Sequence, residues 1–254
     1  MPADPTEPGV GDALRFGRDA VRARLGATAG LFAVPVAVLL AGTGAICLPA
    51  VATTADLLRE QARAAAAQAP AASAGTTWAI TPGALAALLA AVAALQAVTV
   101  LLQVLGARFG LALVDGRRTG ARDFWTPSGL GRPLATAVLL TALTALGALL
   151  LSLPGLVVAL LGQYAVSLSF DRGFGPVTAL RESARLASRH PGTTALLALA
   201  VALVGAVGWL ACGIGLVVAY PVGCATTAWL YRRLDGRGAA PVTPARRRPR
   251  RPGR

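Results

Sequence analysis

The side chains able to do chemistry are few and scattered. The one histidine, His190, stands directly before Pro191, and no spacing around it signals a catalytic pair, so a structural role at an interface is the plainer reading. Ser128, Ser152 and Ser183 lack the nucleophile-elbow context that would present an activated hydroxyl. Cys47, Cys212 and Cys224 show neither a disulfide framework nor metal-ligand spacing. The glycine-rich pieces follow no strand and so form no phosphate cradle. With eleven acids and one histidine, acid–base and metal chemistry have few parts to draw on. These residues predict a non-enzymatic protein with no cofactor and no metal site. The enzyme alternative, a lipid-modifying activity, would need turnover sensitive to His190→Ala.

A second set is neutral, polar and embedded in apolar sequence. Gln96, Thr99 and Gln103 share one helical face at i, i+3 and i+7, and Gln163 and Ser167 lie one turn apart with Tyr164 beside them. Lining a cavity is one use for them, and a small-solute or lipid transporter would need that. Interhelical hydrogen bonding is the other, and it is the more usual use of amides and hydroxyls in lipid. No acid or base falls inside the predicted spans, although such groups often mark ion or proton paths.

The elements that carry these residues follow from composition. The chain has 254 residues, 55% of them hydrophobic and only 14% charged. A soluble domain clothes its surface with about 25% charged residues, so this chain belongs in a bilayer. A helix needs about 20 apolar residues to cross the hydrocarbon core. Four stretches reach that length, and two of them, Pro133 to Phe170 and Pro191 to Tyr231, are far longer. At about 1.5 Å per residue, each would extend to nearly twice the hydrocarbon thickness as one helix. Turn signals at Leu153-Pro154-Gly155 and Cys212-Gly213-Ile214-Gly215 predict that both fold back. The expected fold is an all-α, polytopic membrane bundle of six helices arranged as three hairpins. Its predicted spans are Gly30–Val51, Gly83–Ala107, Leu134–Leu153, Gly155–Phe170, Thr193–Ala211 and Ile214–Tyr231.

Charge sets the expected sidedness. All 24 basic residues are arginine, and six spans put 22 of them on one face. Only Arg59 and Arg63, with Asp56 and Glu60 beside them, fall in the outer loop 52–81. The positive-inside rule makes the rich face cytoplasmic, so both termini are predicted inside a bacterial plasma membrane. Trp78 and Trp209 fall at outer span ends and Phe109, Phe170, Trp229 and Tyr231 at inner ends, where amphipathic rings prefer to sit. Ala50-Val51-Ala52 also resembles a signal-peptide cleavage site. The apolar run before it, at about 22 residues, exceeds a signal h-region of about 7–15, which favours a retained span.

The domain layout then reads as a basic arm over 1–28, a membrane domain over 29–231 and a disordered Arg/Pro-rich tail over 232–254. A short helix is expected in the outer loop, from Thr53 through the alanine run that ends at Pro70. From Pro176 to His190, Val177, Leu180, Ala184 and Ala187 form an apolar stripe beside Arg181, Arg185 and Arg189. Such a helix either lies in an anionic inner leaflet or connects spans as a solvated segment. The tail cluster Arg246, Arg247 and Arg248 is a second candidate contact for anionic headgroups, at about 1 kcal/mol per arginine. The expected partners are therefore membrane lipids and a membrane protein, with no nucleic acid. Gly155-Leu-Val-Val-Ala159 recurs as Gly215-Leu-Val-Val-Ala219 after each turn, which suggests a repeated unit of basic connector and hairpin. Tyr220-Pro221 predicts a kink, and Gly106-x-x-x-Gly110 a close helix contact.

Two passages carry a family resemblance. They are Asp171-Arg-Gly-Phe-Gly-Pro176-x-x-Ala179-Leu180-x-x-Ser183-x-x-Leu186, and Gly213-Ile-Gly215 through Tyr220-Pro221 to Tyr231-Arg-Arg-Leu234. From about Leu111 to Leu234 the chain resembles bacterial uncharacterised integral membrane proteins related to the membrane domain of glycerophosphoryl diester phosphodiesterases. The resemblance implies a six-helix membrane fold. It supplies no catalytic residue, because the acids and histidines of the soluble phosphodiesterase domain have no counterpart in these residues. The expected function is that of an accessory or scaffold protein for lipid or a membrane partner, with a small-solute or lipid permease as the alternative.

Overall fold

A computed structural model describes residues 9–66, 82–117, 129–151, 153–210, 213 and 215–236. Every regular element among them is helical: α1 (Val10–Arg22), α2 (Leu25–Ala66), α3 (Pro82–Val114), α4 (Gly131–Leu151), α5 (Leu153–Gly162), α6 (Ala165–Arg172), α7 (Pro176–Arg189), α8 (Pro191–Leu210) and α9 (Leu216–Leu234). The all-α expectation holds. Five segments are long and apolar enough to cross a membrane, namely Thr28–Ala45, Leu89–Val114, Gly131–Leu150, Leu153–Arg172 and Pro191–Leu210. Each matches one predicted span. The sixth, Ile214–Tyr231, corresponds to α9, which is not among these five.

The chain forms two units. One comprises the described residues up to Val34 and from Val100 onward, and the other is Pro35–Thr99. In the smaller unit, Gly42 on α2 faces Leu95 on α3 with only 3.4 Å for an added Cβ. The hydroxyls of Thr43 and Thr99 bond to carbonyls one turn back on their own helices, at 2.8 and 2.9 Å.

In the larger unit α9 packs against several neighbours, and its buried residues run from Pro221 to Tyr231. Small residues let its neighbours approach. A Cβ on Gly106 of α3 would meet Cys224 Sγ at 2.6 Å, and one on Gly110 would meet the Cys224 carbonyl at 2.5 Å. The predicted Gly106-x-x-x-Gly110 contact is therefore a contact with α9, where absent side chains allow backbones to touch. On α1, Gly17 presses against Val222 and Thr226 of α9, and Phe16 lies 6.1 Å from Trp229. Within the N-terminal arm, Val10–Arg22 is thus a helix packed on α9, with Asp12, Arg15, Arg18 and Asp19 on its outer side. Phe32 fits edge-on against Phe109 at 5.2 Å.

Three details depart from the sequence expectation. The first is α2, which runs 42 residues without ending at Val51, so span one and the outer-loop helix are one element. Its alanine-rich second half has high helix propensity, and the helix runs on through Pro49. In the second, Leu153 and Pro154 do not form a turn but begin α5, where proline's missing N–H costs nothing. Ser152, before them, lies outside the described residues. Gly147 of α4 then meets Gly155 of α5 backbone to backbone, with 2.6 Å for an added Cβ.

The third departure is functional in its consequences. The predicted span Gly155–Phe170 is not one helix: α5 and α6 are separated by a turn at Gln163-Tyr164. Ser183 of α7 fills the break. Its hydroxyl donates to the Leu161 carbonyl at 2.6 Å and accepts the Tyr164 N–H at 3.2 Å. A broken helix in an apolar setting must have its freed backbone groups satisfied by neighbours, and here one side chain satisfies two. Gly162, which lowers helix propensity at the break, sits flush against Leu140.

The face that α7 buries also differs from the predicted stripe. Ala179, Ser183 and Ala187 are buried, whereas Val177 is 56% exposed. Side-chain size decided the packing, because the narrowest face permits the closest approach.

Candidate functional site

Of the six intramembrane polar candidates, Gln96 and Thr99 belong to the smaller unit and the other four to the larger. Gln96 is exposed, and the Thr99 hydroxyl is engaged on its own helix. Gln103 donates from Nε2 to the Thr141 hydroxyl on α4 at 3.3 Å, while its Oε1 is buried with no partner among the described residues. Gln163 Nε2 reaches the Thr194 carbonyl at 3.4 Å, and the Tyr164 and Thr194 hydroxyls lie 3.5 Å apart. Ser167 is buried in α6. Gln103, Gln163 and Tyr164 thus join helix to helix, the use expected of amides and hydroxyls in lipid.

A different polar assembly, which sequence reasoning missed, gathers the ends of α3, α6 and α9. Arg232 is its hub. Nη1 pairs with Asp171 at 2.9 Å and Nη2 with Asp115 at 2.9 Å. Tyr231 Oη donates to the second Asp171 oxygen at 2.9 Å, and Arg117 takes the second Asp115 oxygen at 2.7 Å. Arg172 pairs with Asp235 alongside. The side chains of Asp171 and Arg232 are only 9% and 12% exposed, so this pair is the buried centre of a network whose outer members, Arg117 and Arg172, reach the surface. Arg24 and Arg132 extend it by donating to the carbonyls of Arg117 and Gly173, at 3.0 and 2.8 Å.

Chemically this assembly is a lock. Both carboxylate oxygens of Asp115 and of Asp171 receive a donor, which ties the ends of α3, α6 and α9 together. The sequence held one trace of it, because Asp171, Tyr231 and Arg232 all stand in the two passages that carry the family resemblance. Their separations, 60 residues for Tyr231–Asp171 and 117 for Arg232–Asp115, carry no local signal.

The basic candidates on α7 stay at the surface. Arg181, Arg185 and Arg189 are all exposed, and Arg185 alone has a carboxylate near, Glu182 at 3.9 Å. Arg246, Arg247 and Arg248 lie outside the described residues. Helix α9 continues to Leu234, so Arg232 and Arg233 belong to it and not to the tail. The Arg233 guanidinium stacks over the Trp229 ring at 4.9 Å. Among the described residues no group of three or more His, Cys, Asp or Glu side chains is placed to hold a metal ion.

Beside α7 runs a groove of about 410 Å³, walled by α4 and α5. Its lining is aliphatic apart from Arg181, and none of the six polar candidates contributes to it.

Known proteins give bacterial relatives and no activity. Over 126 residues, half of this chain, the sequence is 32% identical to an uncharacterised protein of Mycobacterium bovis, and equally so to uncharacterised proteins of two Mycobacterium tuberculosis strains. The matched region is 39% of each relative, so the chain spans well under half the length of the curated relatives it matches. The sequence matches no protein-family profile and no solved structure.

Proposed function

We propose that this chain is a non-enzymatic, multi-pass protein of a bacterial plasma membrane that serves as an accessory or scaffold by holding anionic lipid or a membrane partner. One observation carries the reading. Gln103, Gln163 and Tyr164 bond helix to helix, while large aliphatic side chains face outward. On α8, Leu196, Leu199, Leu203, Val207 and Leu210 make one outward stripe, each more than half exposed. An apolar stripe of that length is at home in hydrocarbon.

In this reading α9 is the sixth span, giving three hairpins with both termini cytoplasmic. The close contacts Gly147–Gly155 and Gly208–Gly215 support the second and third hairpins. Gly213, at φ +76°, supports a tight reversal between α8 and α9. The arginine distribution supports the sidedness. The resemblance to the membrane-domain relatives of glycerophosphoryl diester phosphodiesterases belongs to the same proposal.

The transporter alternative is tested in proteoliposomes challenged with a panel of small neutral and anionic solutes and with fluorescent phospholipids. Exchange no faster than in protein-free vesicles is expected. Solute-dependent flux that disappears in Gln103→Leu and Gln163→Leu would overturn the scaffold reading in favour of a permease.

A further inference from the structure

The groove between α4, α5 and α7 has a built-in chemistry. Leu139 and Leu143 of α4 form one wall, Val158 and Leu161 of α5 a second, and Leu180 and Ala184 of α7 the third. Its position follows from the helix break. Ser183 holds α7 against Leu161 and Tyr164, and the buried Ala179–Ser183–Ala187 face sets how closely α7 docks. That docking leaves the neighbouring stripe, Leu180 and Ala184, standing over α4 and α5. Gly162 contributes to the lining, while its missing Cβ lets α5 sit flush against Leu140 of α4.

At the rim lies Arg181. It has no carboxylate partner among the described residues, since Glu182 turns to Arg185. An exposed guanidinium beside an aliphatic slot complements an anionic headgroup, and its planar donors fit a phosphate in bidentate fashion.

We propose that this groove binds one acyl chain of an anionic phospholipid, with the lipid phosphate on Arg181. The assignment rests on the lipid-holding reading above and gives it a place. Size excludes a peptide helix: at about 10 Å diameter a helix does not fit a slot of about 410 Å³, whose volume lies in the usual ~300–1,000 Å³ of small-ligand sites. A free anion would leave the aliphatic walls without a ligand. Charge selects among lipids, because Arg181, Arg185 and Arg189 follow one another along one helix and favour a headgroup with net negative charge.

The test is native mass spectrometry of the purified full chain, titrated with phosphatidylglycerol or phosphatidylcholine. Wild type should retain one phosphatidylglycerol in preference to phosphatidylcholine. Arg181→Gln, an exposed change that leaves packing intact, should weaken that retention roughly tenfold, the value of one charge-assisted contact. Ala184→Trp, which fills the groove from α7, should abolish it, and Ala184→Leu should reduce it if the larger change unfolds the chain. Arg18→Gln, on α1, should retain the lipid as wild type does. If wild type prefers phosphatidylglycerol and the groove variants keep it undiminished, the site assignment is overturned while the lipid-holding reading stands. If wild type retains neither lipid, both fall. Displacement of the bound lipid by inorganic phosphate alone would mark a simple anion site and would also overturn the assignment.

Discussion

Arg232→Ala is expected to be the most destabilising single change in the described residues. The substitution removes the guanidinium that pairs with both Asp171 and Asp115, at a point where α3, α6 and α9 meet. Removing one partner of a buried ion pair costs about 3–5 kcal/mol, most of it from the charge left behind. Asp115, at 28% exposure, is partly solvated and contributes the smaller share. The thermal midpoint of the purified protein in detergent reads this loss. Asp171→Asn combined with Arg232→Met removes both members, so it should fall well short of the sum of the single changes. Additive losses would mean that the two side chains act independently and that no lock exists.

Ser183→Ala should come second, by a different route. The missing hydroxyl leaves the Leu161 carbonyl and the Tyr164 N–H without the partner that fills the break between α5 and α6. Each orphaned buried group costs about 1–3 kcal/mol, which gives about 2–6 kcal/mol for two. The lower half of that range is expected, because the bond to the Leu161 carbonyl is only part-buried. Hydrogen exchange gives the sharper readout, because the Tyr164 amide should lose its protection while amides in α8 keep theirs. An unchanged Tyr164 amide would show that the break does not depend on Ser183. Retention of phosphatidylglycerol should weaken in the same variant, since the docking of α7 shapes the groove.

The sequence made much of this architecture legible, for physical reasons that also mark where legibility stopped. Five spans were readable because hydrocarbon demands about 20 consecutive apolar residues, a requirement written locally in the chain. The close approach of α3 to α9 was readable in part, since Gly106 and Gly110 announce a narrow face without saying what packs there. The break at Gln163-Tyr164 was not, because its cause, Ser183, stands 19 residues further along the chain. Hydropathy alone runs smoothly across it. The Arg232 network was hidden for a similar reason: Arg232 stands 117 residues from Asp115, and only the fold brings it to Asp115 and Asp171. On α7 the periodicity was readable but the buried stripe was not, because hydropathy favoured Val177 and Leu180 whereas packing chose Ala179 and Ser183.

Central to the whole account is an even number of crossings, with α9 as the sixth. Reporter fusions before Val10 and after Leu234 test it directly, using a fluorescent protein that matures only in the cytoplasm and a phosphatase active only outside it. Fluorescence without phosphatase activity at both positions is the result the account predicts. Phosphatase activity at one end and fluorescence at the other would mean an odd number of crossings and would contradict it.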